Sequence, residues 1–509
     1  MITTCQNLRL DRLQVAGAAA PFEIVETHIS WVVLTGDYAY KIKKPLELGF
    51  LDFSTLEKRH LFCQEELRLN SRLAPHIYLS VVPVTGTLEQ PCLEGEGPIL
   101  DYAVKMRQFD QSGLLDREIA EGRVSPEQID GIAEIAADFH SRIARAGAHS
   151  RHGLPENIQA PAIENFEETL ELIGDHPARP RLARLREWTE DAFARLRPLM
   201  ASRHDQGFVR ECHGDMHLGN MVHLGGGELL IFDGIEFNDN LRWIDVLNEV
   251  AFLFMDLDHR GRPDYAWRAL NRYLELTGDY QAVPLLDYYL VYRVMVRAKV
   301  AAIRLAQSHD PALEEEFLAF LAQAERYAAS HKPRLMITHG LSGSGKTYLS
   351  QKVLERVGAL RLRSDTERKR LHGLSAEQSS GSGVNQGIYT PEASRRTYEH
   401  LVSQASCILK AGHHVIVDAA FLHAQNRAPF RRLAQEIPAE FLILDLQTDP
   451  DLCRRRIQQR QQDASEADLA VLDNQLAHEH QLDPEEQAQA VAVGHDLDQA
   501  MARLTSRDQ

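Results

Sequence analysis

Residues 334–347 read RLMITHGLSGSGKT, a short apolar run that breaks into glycine and serine and ends on Gly-Lys-Thr. Gly340, Gly345, Lys346 and Thr347 satisfy the spacing G-x-x-x-x-G-K-[ST], with Ser342, Gly343 and Ser344 between them. Each residue type suits a nucleotide phosphate. Glycines let successive backbone N–H groups turn toward the anion, the lysine bridges the β- and γ-phosphates, and the threonine hydroxyl reaches Mg²⁺. Leu335-Met336-Ile337 before the loop predicts a strand, and the run from Tyr348 to Leu354 predicts a helix whose N-terminus faces the same phosphate. A flexible Gly/Ser linker would lack these flanks. The loop therefore opens a nucleotide-binding domain.

The bulk properties leave room for a second one. At 509 residues, 44% hydrophobic and 25% charged, the chain is long enough for two cores. A net charge of −17 argues against a general nucleic-acid or anionic-membrane partner. Cysteines 5, 63, 92, 212, 407 and 453 show no C-x-x-C spacing, so neither a zinc site nor a disulfide framework is indicated. The N-terminus MITTCQNLRLDRLQ lacks the pattern of a secretory leader, and no apolar run approaches a membrane span. These features predict a cytoplasmic protein without a membrane partner. A boundary is expected near residue 330, where a helical pattern runs into Ser330-His-Lys-Pro333. Residues 331–509 then form an α/β domain with a parallel sheet, and residues 1–330 need their own explanation.

The segment 211–237, ECHGDMHLGNMVHLGGGELLIFDGIEF, supplies it. Asp215 and Asn220 stand five apart on a turn-rich stretch, and Asp233 follows the apolar run Leu229–Phe232. A hairpin would bring these three oxygen-bearing side chains together. HGDMHLGN at 213–220 closely resembles the catalytic loop of aminoglycoside phosphotransferases and related small-molecule kinases, and FDGIEF keeps Asp233 and Glu236 of their second motif. The resemblance implies an α+β, protein-kinase-like bilobal fold, with a small lobe over about 1–105 and a large lobe over 106–330. It makes Asp215 the residue that accepts the acceptor hydroxyl's proton, and Asn220 and Asp233 the Mg²⁺ ligands on ATP.

Such a fold needs a Lys–Glu pair in the small lobe. WVVLTGDYAYKIKKP, 31–45, reads as a hairpin whose alternation puts Ala39, Lys41 and Lys43 on one face, so spacing does not separate the two lysines. The match to V-A-I-K favours Lys41. Ser54-Thr-Leu-Glu57 reads as a capping box starting a helix to about Leu73. Of Glu65 and Glu66 on that helix, Glu66 borders the apolar stripe and is the preferred partner. No G-x-G-x-x-G precedes the strand, which leaves the phosphate lid unassigned. The resemblance gives Asp245 a bracing role beneath the catalytic loop. Arg293, Arg297 and Arg304, among Tyr288, Tyr289 and Tyr292, form a stripe that suits an anionic or sugar-like acceptor but more often marks a solvated face or an interdomain contact, and Asp256 and Asp258 are the only nearby carboxylate cluster, too little to infer a polycationic acceptor.

Downstream, ALRLRSDTERKRL places Ser364, Asp365 and Arg368 after a strand. This resembles the S-D-x-x-R segment of P-loop kinases related to polynucleotide 5′-kinases and zeta-type sugar-nucleotide kinases. There the Asp is the base and the Arg holds phosphate. Ser364-x-x-Glu367 is equally a capping box, which would put Asp365 at a helix start for structural reasons alone. Asp418 ends the run His414–Val417 as a Walker B carboxylate does. In PDLCRRRIQQR, Arg456 and Arg460 share a helical face, as in the arginine helix that closes on the γ-phosphate in the family resembled. DASEAD, 463–468, carries no readable chemistry.

The domain order resembles a bacterial fusion family of two-domain kinases. It implies an ATP- and Mg²⁺-dependent phosphotransferase with two nucleotide sites, acting on small hydroxylated molecules. A nucleotide-sensing regulatory ATPase, with one domain controlling the other, is the alternative. Polynucleotide 5′-kinase activity suits the downstream resemblance but not the acidic balance.

Overall fold

The computed structural model describes residues 8–16, 22–49, 51–225, 227–308, 310–383, 386–459, 465–478, 481–493 and 502. The chain divides into two compact units. The first comprises Met1–Val124, Phe139–Glu164 and Arg197–Asp256, and the second Ser125–Asp138, Asn165–Leu196 and Leu257–Gln509. The boundary expected at residue 330 thus falls inside the second unit. Among the described residues no helix is long and apolar enough to cross a membrane.

The first unit is organised on a seven-stranded sheet whose strands lie between Gln14 and Arg107. Strands Ser30–Leu34 and Tyr38–Lys43 form the anticipated hairpin, with Val32 opposite Lys41, and Ile99–Arg107 pairs with the second of them. Alternation sorts the residues of Tyr38–Lys43. Tyr40 and Ile42 join Val33, Val84, Ala103, Leu13 and Val15 in one apolar cluster, each large aliphatic contributing about 1.5–3 kcal/mol on burial. Lys41 and Lys43 lie on the opposite face, where they meet Glu66 of the helix Leu56–Asn70. That helix also packs Cys63 with Tyr78, Val104 and Val222.

Its N-cap is Thr55, whose hydroxyl accepts the Lys58 N–H, and Ser54 hydrogen-bonds Asp52 instead. The N-cap expected at Ser54 thus falls one residue later, and with Lys58 at the third helical position the expected capping box does not form. After the sheet come two small antiparallel pairs. Val209–Glu211 pairs with Trp243–Asp245, and Met221–His223 with Leu229–Ile231.

The second unit holds a five-stranded parallel sheet in the order Ala359–Arg363, His414–Asp418, Arg334–His339, Glu440–Leu446, Ala490–Val493. Its central strand, Arg334–His339, is buried at every position, which explains the absence of polar alternation. The helix Lys346–Val353 follows the loop, and Leu349 and Val353 pack with Met336, Ile416 and Leu442.

Helices upstream of residue 330 complete this unit. In the helix Pro263–Thr277, Trp267 packs against the sheet core and Arg268 pairs with Glu355. Asn271 sits against the edge strand Ala359–Arg363. Its side-chain amide donates to Ala359 O at 2.9 Å, and its side-chain oxygen accepts the Arg361 N–H at 2.7 Å. The Tyr280 hydroxyl donates to Arg361 O at 3.0 Å. Backbone groups that a bare edge strand leaves unsatisfied are met here by side chains.

Candidate functional site

In the first unit, Lys41 Nζ lies 2.9 Å from Glu66 Oε1 and donates to Asp233 Oδ1 at 2.6 Å. Lys43 reaches the other oxygen of Glu66 at 2.5 Å and also pairs with Glu236. Both lysines therefore share one carboxylate, which is why alternation alone treats them alike. Glu65 instead pairs with Arg68. Lys43 and Glu66 are fully buried, whereas Asp233 is 45% exposed. Burial alone would raise the Glu66 carboxyl pKa, but the two ammonium groups outweigh it and hold it at about 2.

Asp233 adopts φ +62°, a left-handed conformation uncommon outside glycine. Hydrogen bonds on either side hold it there. Its N–H donates to the Tyr78 hydroxyl at 3.1 Å, and the Gly234 N–H donates to Asn70 Oδ1 at 2.7 Å. Asn220 donates through Nδ2 to Asp215 O at 2.9 Å and to Asp215 Oδ2 at 2.8 Å, while Phe232 N–H donates to Asn220 O. The loop of Asp215 is thereby tied to the strand that leads into Asp233. Asn220 and Asp233 offer hard oxygen donors of the kind Mg²⁺ takes, and Lys41 offers a cation for phosphate.

What braces the loop 213–220 is Glu249, which the sequence reading missed. Its Oε1 accepts the N–H groups of His213 and Gly214 at 2.6 and 2.7 Å, and its Oε2 lies 2.7 Å from His140 Nε2. Burial opposes this charge, but hydrogen bonding and attraction from His140, with further help from His213 and the Gly214 N–H, hold the carboxyl down at about 2. His140, Cys212 and Glu249 lie close enough to suggest a metal cluster, yet the oxygens of Glu249 are already committed to hydrogen bonds.

Asp245, expected to brace that loop, pairs with Arg203 at 2.6 Å and accepts the Leu247 N–H. Glu249 stands one helical turn beyond it, and the i,i+4 spacing was the only available signal. Asp256 is buried and accepts the Leu218 N–H, and Asp258 is held by Arg326 and Tyr327. Both carboxylates are thus engaged within the fold, in keeping with the sequence giving no ground for a polycationic acceptor. Tyr288, Tyr289, Tyr292 and Arg293 are buried and Arg304 pairs with Glu316, so packing rather than ligand contact accounts for most of that stripe.

In the second unit, the loop turns through positive φ at Gly340, Gly343 and Gly345. A Cβ at Gly343 would stand 2.7 Å from Cys453 O, so side-chain bulk is excluded there. Lys346 Nζ donates to Gly340 O and Leu341 O at 3.0 and 2.7 Å, and the Ser342 N–H donates to Gln475 at 2.8 Å. Ser344 Oγ is buried with no hydrogen-bond partner among the described residues.

A cavity of about 630 Å³ gathers Lys346, Thr347, Asp365, Arg368, Asp418 and Arg456 on its wall. Thr347 and Asp418 again supply hard oxygens suited to Mg²⁺. Burial pushes the Asp365 carboxyl above its ordinary range despite Ser465, Arg363 and Arg368 nearby. The capping box proposed for Ser364 does not form. The N-cap is Arg363, and Glu367 instead pairs with Arg370 and His400. Arg368 donates to Ile388 O and Ser394 Oγ. Arg456 donates to Ser344 O at 3.0 Å, and Arg460 lies outside the described residues. From the segment 463–468, Ser465 and Glu466 line the cavity, and Glu466 accepts the Ser380 N–H.

A family model described as "AAA domain" matches residues 335–482. The C-terminal region is thus a P-loop domain. Over 452 residues the chain is 30% identical to uncharacterized protein Rv2004c of Mycobacterium tuberculosis, covering 89% of each. Uncharacterized protein Mb2027c of Mycobacterium bovis matches with the same figures. The chain belongs to the family of these mycobacterial proteins. Among solved structures, an ethanolamine kinase of Plasmodium vivax aligns at 10% identity over 61% of this chain and 82% of its own, with a TM-score of 0.38. A sugar kinase of Janibacter aligns at 21% identity over 34% and 93%, with a TM-score of 0.28.

Proposed function

We propose that the protein is an ATP- and Mg²⁺-dependent phosphotransferase with two separate nucleotide sites, each acting on a hydroxyl of a small molecule. The observation that carries this reading is a recurring convergence. In each unit the same residue types recur: in the first Lys41 meets Asp233 and Asn220 meets Asp215, the two pairs tied by the Phe232 N–H to Asn220 O bond, and in the second one cavity gathers Lys346, Thr347, Asp418 and Asp365.

Bound Mg²⁺ would neutralise charge on the ATP phosphates. The chain's own groups would do the rest. Lys41 would leave Asp233 to hold phosphate, with Glu66 keeping the ammonium in place. Asp215, fixed by Asn220, would orient the hydroxyl and take its proton. In the second unit the backbone N–H groups of 340–347 and Lys346 would cradle phosphate, and Asp365 would be the base. Its raised carboxyl pKa makes it a stronger proton acceptor once ionised.

Cell-extract metabolites incubated with the protein and γ-labelled ATP, read by mass spectrometry, should reveal phosphorylated acceptors. Asp215→Asn should remove one set of products and Lys346→Ala the other. If neither substitution alters any product, the two-site reading is wrong. A second reading, a nucleotide-sensing ATPase, draws on the turn Thr27–Ser30 of the first sheet, which contains no glycine for a close-fitting lid. ADP release that needs no acceptor and is unchanged by adding one would favour it.

A further inference from the structure

The cavity of the second unit has a neighbour that comes from far upstream in the chain. Arg361 and Arg363 alternate along the edge strand and both turn toward Glu275 of the helix Pro263–Thr277. Arg363 Nη1 donates to Glu275 Oε1 at 2.8 Å, and Arg361 Nη2 to Oε2 at 3.0 Å. Glu275 is buried. The other end of the Arg363 guanidinium points at the site, with Nε 3.9 Å from Asp418 Oδ2, beyond hydrogen-bond distance. Ser350 Oγ donates to the same Asp418 oxygen at 3.2 Å.

An arginine set among Glu275, Asp418 and the nearby Asp365 goes to whichever carboxylate holds it better. If it closed on Asp418, it would neutralise the carboxylate assigned to the cation. We propose that Glu275 is a positioning residue for the P-loop site: by holding Arg363 it keeps the guanidinium off Asp418 and leaves that carboxylate available to a divalent cation. The proposal rests on the reading that Asp418 serves a nucleotide-bound metal. It goes beyond that reading because Glu275 lies sixty residues before the matched P-loop segment at 335–482.

The test uses the full-length chain carrying Asp233→Asn, which weakens cation binding in the first unit, and measures Mn²⁺ affinity by electron paramagnetic resonance with saturating ADP. Glu275→Gln should weaken Mn²⁺ binding by about tenfold. The double variant Glu275→Gln/Arg363→Gln should restore it to within about twofold of the parent, because the competing cation is gone. ADP affinity without metal should stay unchanged in both. Unaltered Mn²⁺ binding in Glu275→Gln, or failure of the second substitution to rescue it, overturns the proposal.

Should Glu275→Gln not fold, Arg363→Gln alone decides. The proposal requires Mn²⁺ affinity equal to the parent's or tighter, and weaker binding overturns it. If the parent shows no ADP-dependent Mn²⁺ binding that Lys346→Ala removes, the P-loop reading itself falls and the proposal falls with it.

Discussion

The two candidate sites solve the same electrostatic problem with different materials. The first is assembled from side chains distant in sequence, with Lys41 reaching Asp233 and Lys43 reaching Glu236 across more than 190 residues. Lys43, Glu66 and Glu236 are buried against one another. The second is mostly backbone, an eight-residue loop whose glycines turn N–H groups inward and whose lysine rests on its own carbonyls. A site made of paired charges depends on every partner being present, because a charge left alone in the interior is costly. A site made of backbone depends on conformation, and it fails when φ or space is denied.

The largest test of that contrast asks whether both regions work at all. Asp215→Asn and Lys346→Ala should each lower one phosphotransfer activity by about a thousandfold. Calorimetry with a non-hydrolysable ATP analogue should count two sites in the wild type and one in Lys346→Ala. A single site in the wild type would dissolve the comparison.

Next comes the cost of breaking a buried pair. Lys43→Met should destabilise the first unit by about 3 kcal/mol in denaturant unfolding, since Glu66 and Glu236 are left facing each other. Lys41→Met should cost less stability, because Asp233 is partly in water, and should show mainly as lost turnover. The pH dependence has a definite sign. The Glu66 carboxyl is held at about 2 against an ordinary 4.5, so its contribution is full above 4.5 and is lost as pH falls toward 2. The stability gap between wild type and Lys43→Met should therefore narrow over that interval, as read by unfolding at stepped pH.

A backbone site should answer to a single methyl group. Gly343→Ala puts a Cβ near Cys453 O at φ +80° and should cost about 2 kcal/mol, with weaker nucleotide binding by calorimetry. The smallest pair concerns helix starts. Thr55→Ala should cost about 1 kcal/mol and Ser364→Ala less than about 0.5, because only Thr55 caps a helix. Equal costs in thermal melts would restore Ser364 to a capping role.

The same difference in construction governs what could be read from the amino-acid sequence. The loop 340–347 is contiguous, so its pattern is visible in one glance, and the strand before it and the helix after it follow from periodicity. The hairpin carrying Lys41 was legible because alternation sorts its faces. Its partner could only be narrowed, since a carboxylate with two oxygens serves two lysines. Glu249 was not legible because it binds backbone amides, which every residue possesses and no motif records. The resemblance pointed to Asp245, four residues earlier, which ends the strand Trp243–Asp245 just before the helix Val246–His259 that carries Glu249. Nor did composition reveal that helices before residue 330 belong with the parallel sheet, because a polar residue such as Asn271 looks like surface until a strand edge lies against it.

That asparagine has a practical consequence for anyone dissecting the chain. Cutting at the Ser330-His-Lys-Pro333 junction would strip the carboxamide from Ala359–Arg363 and present a naked strand, with Trp267 missing from the sheet's flank. Such a fragment invites edge-to-edge association of one copy with another. A soluble P-loop fragment should begin upstream of Pro263, so the seam visible in the sequence is the wrong place for the scissors.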